Sequence, residues 1–229
     1  MKKFLIVLLA VLSIFTCTSC GAKEEPTPEP EPEEEVIVMP VKGETVKLGS
    51  NSFIVLTIDD TKALVLSMKN YGPQVSFDNN TYEDSRLDNL CTKYYDSLPD
   101  DIKNAIIETD IEINSYMLDF EENTENHTSD ARYSSKELIT TLKRKVYAPE
   151  LADIEDYYSG TFTGKDIKNL FFTDMSCLWL RSAVTDYRDA IWGINGDSGT
   201  ILCYSIENKM DFRPEFEIDL SLVEFEIIG

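Results

Sequence analysis

Residues 45–68 carry apolar side chains in strand-length runs separated by short polar stretches. Thr45 to Leu48, Ser52 to Ile58 and Lys62 to Met68 are rich in Val, Ile and Leu and predict three strands. Asp59-Asp60 turns the chain between the last two. Further on, Leu87, Leu90, Cys91, Tyr94 and Leu98 recur at helical spacing, which predicts an amphipathic helix over 85–97. Ser97-Leu98-Pro99-Asp100 supplies a cap and an early proline for a second helix carrying Ile102, Ala105 and Ile106. Residues 119–130 (DFEENTENHTSD) are polar and acidic and predict a surface loop. Ser134 with Glu137 has the form of a capping box for a short helix ahead of a Lys-rich strand near Val146. Pro149 to Tyr158 adds a helical turn. Strands return at Cys177 to Ser182, Ala190 to Ile194, Thr200 to Ile206 and Glu215 to Leu220. The pattern specifies an α+β domain, mostly antiparallel sheet and hairpins with two main helices and long loops.

The first forty residues follow a different rule. Lys2 and Lys3 precede an unbroken apolar run from Phe4 to Phe15, closed by Thr18-Ser19-Cys20-Gly21. A positive start, a short apolar run and small residues before a cut describe a secretory signal, too short to span a bilayer comfortably. With cysteine directly after the small residues, the stretch resembles a bacterial lipoprotein signal. That resemblance implies cleavage before Cys20 and acylation of Cys20, with Cys17 standing where the family usually has leucine. Two or more acyl chains, palmitate among them, anchor a protein stably where one is marginal. Glu24 to Glu35 (EEPTPEPEPEEE) then holds seven glutamates and four prolines and no apolar residue. It cannot bury enough surface to fold, and from Gly21 to Pro40 it would reach about 60 Å as a stiff spacer at ~3.1 Å per residue. The chain therefore divides into a signal peptide (1–19), a lipidated cysteine with an acidic linker (20–40) and one α+β extracytoplasmic domain (41–229).

Charge and cysteine usage narrow the chemistry. The chain carries 42 acidic against 21 basic residues, a net charge of −21. Such a domain is a poor partner for nucleic acid or anionic lipid surfaces. Cys91, Cys177 and Cys203 show none of the paired spacings of zinc or thiol-exchange sites and read as small apolar residues. A Cys177–Cys203 bridge is an open alternative, since both lie in predicted strands. No phosphate-binding loop, zinc-protease motif or EF-hand is present, and no metal or cofactor is expected.

One segment invites a catalytic reading. Asn195-Gly196-Asp197-Ser198-Gly199 contains Gly-Asp-Ser-Gly, the setting of the nucleophile in trypsin-like proteases. A serine nucleophile needs a histidine base, and the one histidine, His127, sits in the acidic loop with nothing apolar to fix it. Asn-Gly between Ile191, Trp192, Ile194 and Ile201, Leu202, Cys203 is instead a two-residue hairpin signal. Ser198 is read as a turn residue, and no catalytic residue is assigned.

Five separated stretches resemble one family of cell-surface domains of Gram-positive bacteria, catalogued as a domain of unknown function. They are Lys62-Ala63-Leu64-Val65-Leu66-Ser67, Tyr82-Glu83-Asp84-Ser85-Arg86-Leu87, Trp179-Leu180-Arg181-Ser182, the Ile194–Ile201 turn segment and Arg213-Pro214-Glu215-Phe216-Glu217-Ile218-Asp219-Leu220. This chain departs from the family pattern at Ser198, inserted before the turn glycine, and at Glu215, where alanine is usual. Both departures are expected to alter exposed turn or edge chemistry. The terminal motifs are also similar to C-type-lectin-like and formylglycine-generating-enzyme-like domains. That implies a C-type-lectin-like fold, although the paired cysteines and the calcium and sugar loops of those families are absent.

Arg181, Arg213 and Trp192 are the candidate ligand-binding residues. The arginines would hold a carboxylate or phosphate through bidentate bonds. The competing reading, favoured by the excess of Asp and Glu, pairs them with internal acids or carbonyls. Trp192, like Trp179, lies on an apolar strand where core packing is commoner than a ligand platform. The expected protein is a lipid-anchored, outward-facing binding or display module for a glycan, peptide or protein partner; the alternative is a degenerate or unrecognised cell-envelope hydrolase. Cys20→Ala should move the protein from the membrane fraction to the medium or leave it uncut. Fractionation and migration identical to the wild type would exclude lipidation at Cys20.

Overall fold

Two five-stranded sheets organise the domain, and the apolar runs of the sequence explain the first of them. In the computed structural model, which describes residues 38–120, 131–159, 162–171 and 176–228, strands β1 (Thr45–Leu48), β2 (Asn51–Asp59) and β3 (Lys62–Ser67) pair as consecutive antiparallel neighbours. The described elements all belong to the unit Val38–Gly229. The readings on the signal, Cys20 and the acidic linker fall outside the described residues, as does His127.

Side chains on β2 and β3 alternate between two apolar clusters. Phe53, Val55 and Val65 enter one, and Leu56 and Leu66 enter the other. The first sheet is thus covered on both faces, which accounts for its dense Val, Ile and Leu content. The β2–β3 turn places Asp60 at φ 54°, a left-handed conformation that a short polar side chain tolerates.

Helix α1 (Arg86–Ser97) starts where the sequence predicts, with Ser85 Oγ accepting from the Asp88 N–H at 3.1 Å. Its apolar stripe of Leu87, Leu90, Cys91 and Tyr94 is buried. Helix α2 (Asp100–Ala105) follows after Pro99 and buries Ile102 and Ala105.

The middle of the chain departs from expectation. β4 (Thr109–Phe120) and β5 (Ala131–Arg144) form a long antiparallel hairpin. Ser134 and Glu137 therefore lie within a strand, and the short helix expected there is absent. Ser134 pairs with Met117 and Glu137 with Ser115, and cross-strand bonding along β4 outweighs the local capping pattern. Helix α3 (Leu151–Tyr158) forms where the helical turn over 149–158 is expected, and α4 (Gly164–Phe171) is an additional short helix.

The last third contributes to both sheets. β6 (Leu178–Val184), β7 (Ala190–Ile194) and β8 (Ile201–Ser205) complete a second sheet in the order β5-β4-β6-β7-β8. The β4–β6 pairing, Ser115 with Ala183 and Tyr116 with Val184, is parallel. β9 (Glu215–Asp219) returns to the first sheet beside β3, and β10 (Glu226–Ile227) pairs with β1, giving the order β10-β1-β2-β3-β9. Cys91 is buried with its Sγ 3.2 Å from the Tyr82 hydroxyl, Cys177 is half-buried and Cys203 is exposed. All three are free thiols, so the Cys177–Cys203 alternative is not realised.

The β7–β8 connection is wider than a two-residue turn. It runs over 195–200, closed by the Asn195 N–H donating to Thr200 O at 2.9 Å. Asn195 Oδ1 accepts from the backbone N–H groups of Asp197 and Ser198 and from Ser198 Oγ, which fixes the loop from within. Gly199, at φ +72°, approaches α4 so closely that a Cβ there would overlap the Gly164 carbonyl. Gly199→Ala should therefore cost about 1–3 kcal/mol of stability. Ser198→Ala, at an exposed loop position, should cost well under ~1 kcal/mol. Chemical denaturation of both variants checks the contrast, and equal losses would contradict this account of the loop.

Candidate functional site: a buried arginine ringed by carboxylates

Arg181 occupies the fourth position of β6, a strand whose residues are buried at six of seven positions. Leaving a guanidinium there unpaired would cost several kcal/mol, so the surrounding chain must supply acceptors. It does so from four segments. Nε donates to Glu112 O on β4 at 3.2 Å, and Nη1 donates to Ala148 O at 2.6 Å. Nη1 also meets Asp153 Oδ2 at 2.8 Å, and Nη2 meets Glu150 Oε2 at 3.2 Å. Glu215 Oε1, on β9, lies 3.5 Å from Nη1. The Tyr147 ring packs against the guanidinium, 5.1 Å from its centroid.

Local sequence explains how α3 delivers its two acids. Glu150 is the N-cap of α3 and Asp153 its third residue, an acidic capping box in which Asp153 Oδ2 accepts from the Glu150 N–H at 2.7 Å. Negative charge at a helix N-terminus is favoured by the backbone dipoles. Arg181 N–H donates to Pro149 O, and Ser182 Oγ accepts from the Leu151 N–H, so β6 and the start of α3 are stitched by backbone as well as charge. The network extends outward through Asn114 Nδ2, which donates to Glu150 Oε1 at 2.8 Å and to Glu112 Oε2 at 3.4 Å. It reaches the surface at Lys136, whose Nζ is 2.9 Å from Glu112 Oε2.

Electrostatics follow from burial. Glu150 and Glu215 are 1% and 0% exposed, and burial raises both carboxyls above the ordinary carboxylate range against the pull of Arg181. Burial alone would lower the Arg181 pKa; Asp153, Glu150 and Glu215 together outweigh it and hold the guanidinium charged. At the surface end, hydrogen bonds from Lys136 and Asn114 lower Glu112. Burial also raises the Tyr147 phenol, with Glu215 adding to the shift.

The three sequence-predicted ligand residues are placed apart in chemistry. Arg181 is 4% exposed and engaged by the protein's own acceptors. Arg213 is 2% exposed, with Nε donating to Asn70 Oδ1 at 3.0 Å. Trp192 is fully buried in the second cluster, and its Nε1 donates to Tyr116 O at 3.3 Å. One expectation is overturned outright. Glu215 does not modify an exposed edge, because it is fully buried beside Arg181.

Sequence reasoning missed Glu150, Asp153 and Tyr147. The Pro149-Glu150…Asp153 spacing was the available signal for the two acids, since proline and acidic residues three apart mark a helix start. An open surface feature lies elsewhere, a shallow depression on β2, β3 and β9 lined among others by Thr57, Asp59, Lys62 and Glu217. No group of His, Cys, Asp and Glu among the described residues could hold a metal ion.

A family model described as Domain of unknown function (DUF6273) matches residues 51–220, from β2 to the end of β9 and including every member of the Arg181 cluster. No curated protein and no solved structure matches.

Removing Arg181 would strand Glu150 and Asp153 without their counter-charge. Arg181→Met is expected to cost about 3–5 kcal/mol, read as a large drop in the thermal midpoint. Arg213→Met should also lower the midpoint. Unchanged melting with lost ligand binding would make these arginines a ligand site.

Proposed function

This chain belongs to the DUF6273 family, and we propose that it is a lipid-anchored binding or display module of the Gram-positive cell surface. In this reading Cys20 carries the lipid, the acidic linker lifts the domain from the membrane, and the domain faces outward to engage a glycan, peptide or protein partner. The observation that carries the reading is the enclosure of the charged chemistry. The guanidinium of Arg181 and the raised carboxyls of Glu150 and Glu215 are all buried, and each is engaged with or crowded by its neighbours. Acid–base catalysis needs such groups within hydrogen-bond reach of a substrate. Recognition through surface loops needs only a rigid scaffold.

A C-type-lectin-like fold is part of the proposal. The first and last strands of the domain share one sheet, with helices and long connections around it, which supports that likeness. The depression bearing Thr57, Asp59, Lys62 and Glu217 offers hydroxyl, carboxylate and ammonium groups suited to a hydroxyl-rich ligand.

The competing reading, a cell-envelope hydrolase, draws on the raised carboxyls, because perturbed acids cluster at catalytic sites. The purified protein, incubated with isolated Gram-positive cell walls and a glycan array, should be retained saturably without releasing soluble fragments. Asp59→Ala with Glu217→Ala should weaken that retention. Release of soluble wall fragments that stops in Glu150→Gln would replace this reading with the hydrolase.

A further inference from the structure

Counting donors around Arg181 leaves one carboxyl without a bond. The guanidinium has five N–H groups in a fixed fork. Nε–H goes to Glu112 O and Nη1 donates to Ala148 O, with Asp153 Oδ2 an ion-pair partner 2.8 Å from Nη1. Nη2 serves Glu150. Glu215, at 3.5 Å from an already occupied Nη1, is an ionic neighbour without a hydrogen bond. No donor reaches either of its oxygens, and the residue is fully buried.

An ionised carboxylate in that position would be a buried charge with no hydrogen bond, one of the costliest arrangements a protein can hold. A protonated carboxyl has its own donor, and the acceptor the geometry offers is Asp153, whose Oδ2 lies 2.8 Å from the same Arg181 Nη1 that Glu215 Oε1 approaches at 3.5 Å. Asp153 accepts from the Glu150 N–H and lies beside Arg181, and a carboxyl's two oxygens offer further acceptor sites for another bond. We propose that Glu215 keeps a proton in the folded domain and donates it to Asp153, so that this one shared proton fastens β9 to the start of α3 and its loss loosens that seam.

The charged and titratable groups facing Glu215 from the packed elements are Arg181 on β6, Glu150 and Asp153 at the start of α3, and Tyr147, which pairs with Glu215 through the backbone. From β3 the register neighbour is apolar Leu66. One cation thus serves three carboxyls, and it cannot compensate three negative charges at once. Burial raises Glu215 first, with Asp153 adding to the shift and Arg181 opposing it.

The sign of the pH effect follows. Above the ordinary carboxylate value of 4.5 the unfolded chain releases this proton while the folded domain retains it. The stability contributed by the shared proton is therefore complete in acid, declines as pH rises toward the folded-state pKa, and is lost above it. Glu215→Gln keeps a donor for Asp153 and removes the titration. Asp153→Asn offers Glu215 an amide donor and should let it ionise at lower pH.

The test compares thermal midpoints of the wild type and Glu215→Gln from pH 5 to pH 9. The midpoint of the variant should gain on the wild type by about 3 °C per pH unit through the titrating window. Parallel curves would overturn the proposal. A second readout needs no variant to fold: the side-chain carboxyl carbon of Glu215, observed by NMR in the wild type at pH 7, should resonate at the protonated position. An ionised resonance at pH 7 refutes the shared proton. In Asp153→Asn the same resonance should titrate at lower pH than in the wild type, and an unmoved titration would count against Asp153 as the acceptor.

Discussion

Arginine can enter the interior of a protein only if its desolvation is met by acceptors from every direction its fork points. Arg181 meets that requirement with two backbone carbonyls, from Glu112 and Ala148, and with the carboxyls of Glu150 and Asp153. These lie on β4, on the segment before α3 and on α3 itself, while Arg181 is on β6 of the second sheet. Glu215 adds β9 of the first sheet. Apart from Ala148 and α3, which adjoin, these segments lie far apart in the chain, so the constraint is tertiary. Once the guanidinium is buried, the two sheets and α3 have one arrangement in which its charge is compensated, and alternatives leave it exposed to a penalty of several kcal/mol.

The same enclosure separates scaffold chemistry from surface chemistry. Carboxyls with raised pKa values and a charged guanidinium are the ingredients of an acid–base site, and on composition alone they would suggest one. Their burial changes the meaning. Asp153, with a side-chain exposure of 17%, is the least enclosed acid of the cluster, and Glu150 and Glu215 have no comparable access. What the domain presents outward is acidic surface, loops and the shallow depression on β2, β3 and β9. A binding role uses that surface and leaves the buried charges to hold it in place.

Much of the fold is legible in the sequence because local periodicity carries it. β1, β2, β3, α1 and β7 follow from apolar runs, helical spacing and a serine cap, and the structure places them within a residue or two of their predicted bounds. The failures are tertiary or ambiguous. Ser134 and Glu137 satisfy a capping pattern, but β4 offers β5 a ladder running from Thr109 with Arg144 to Phe120 with Ala131, and that choice is invisible locally. β4 was overlooked although Ile111 and Ile113 alternate with Glu112 and Asn114. Asn195 and Gly196 suggested a tight turn, whereas the Asn195 side chain organises a wider loop through three hydrogen bonds. Arg181 stood out as a charge in an apolar strand. Its partners did not, because a chain with 42 acidic residues gives no reason to pair Glu150, Asp153 or Glu215 with it, the last of them 34 positions away.

The central claim is that Arg181 and its carboxylates act as one structural unit. A double-mutant cycle measures this directly, with Arg181→Met, Glu150→Gln and the double variant unfolded by denaturant. Glu150→Gln should be costly in the wild-type background and nearly neutral once Arg181 is gone, a coupling of about 1–3 kcal/mol. Additive losses, with each substitution costing the same in either background, would contradict the account.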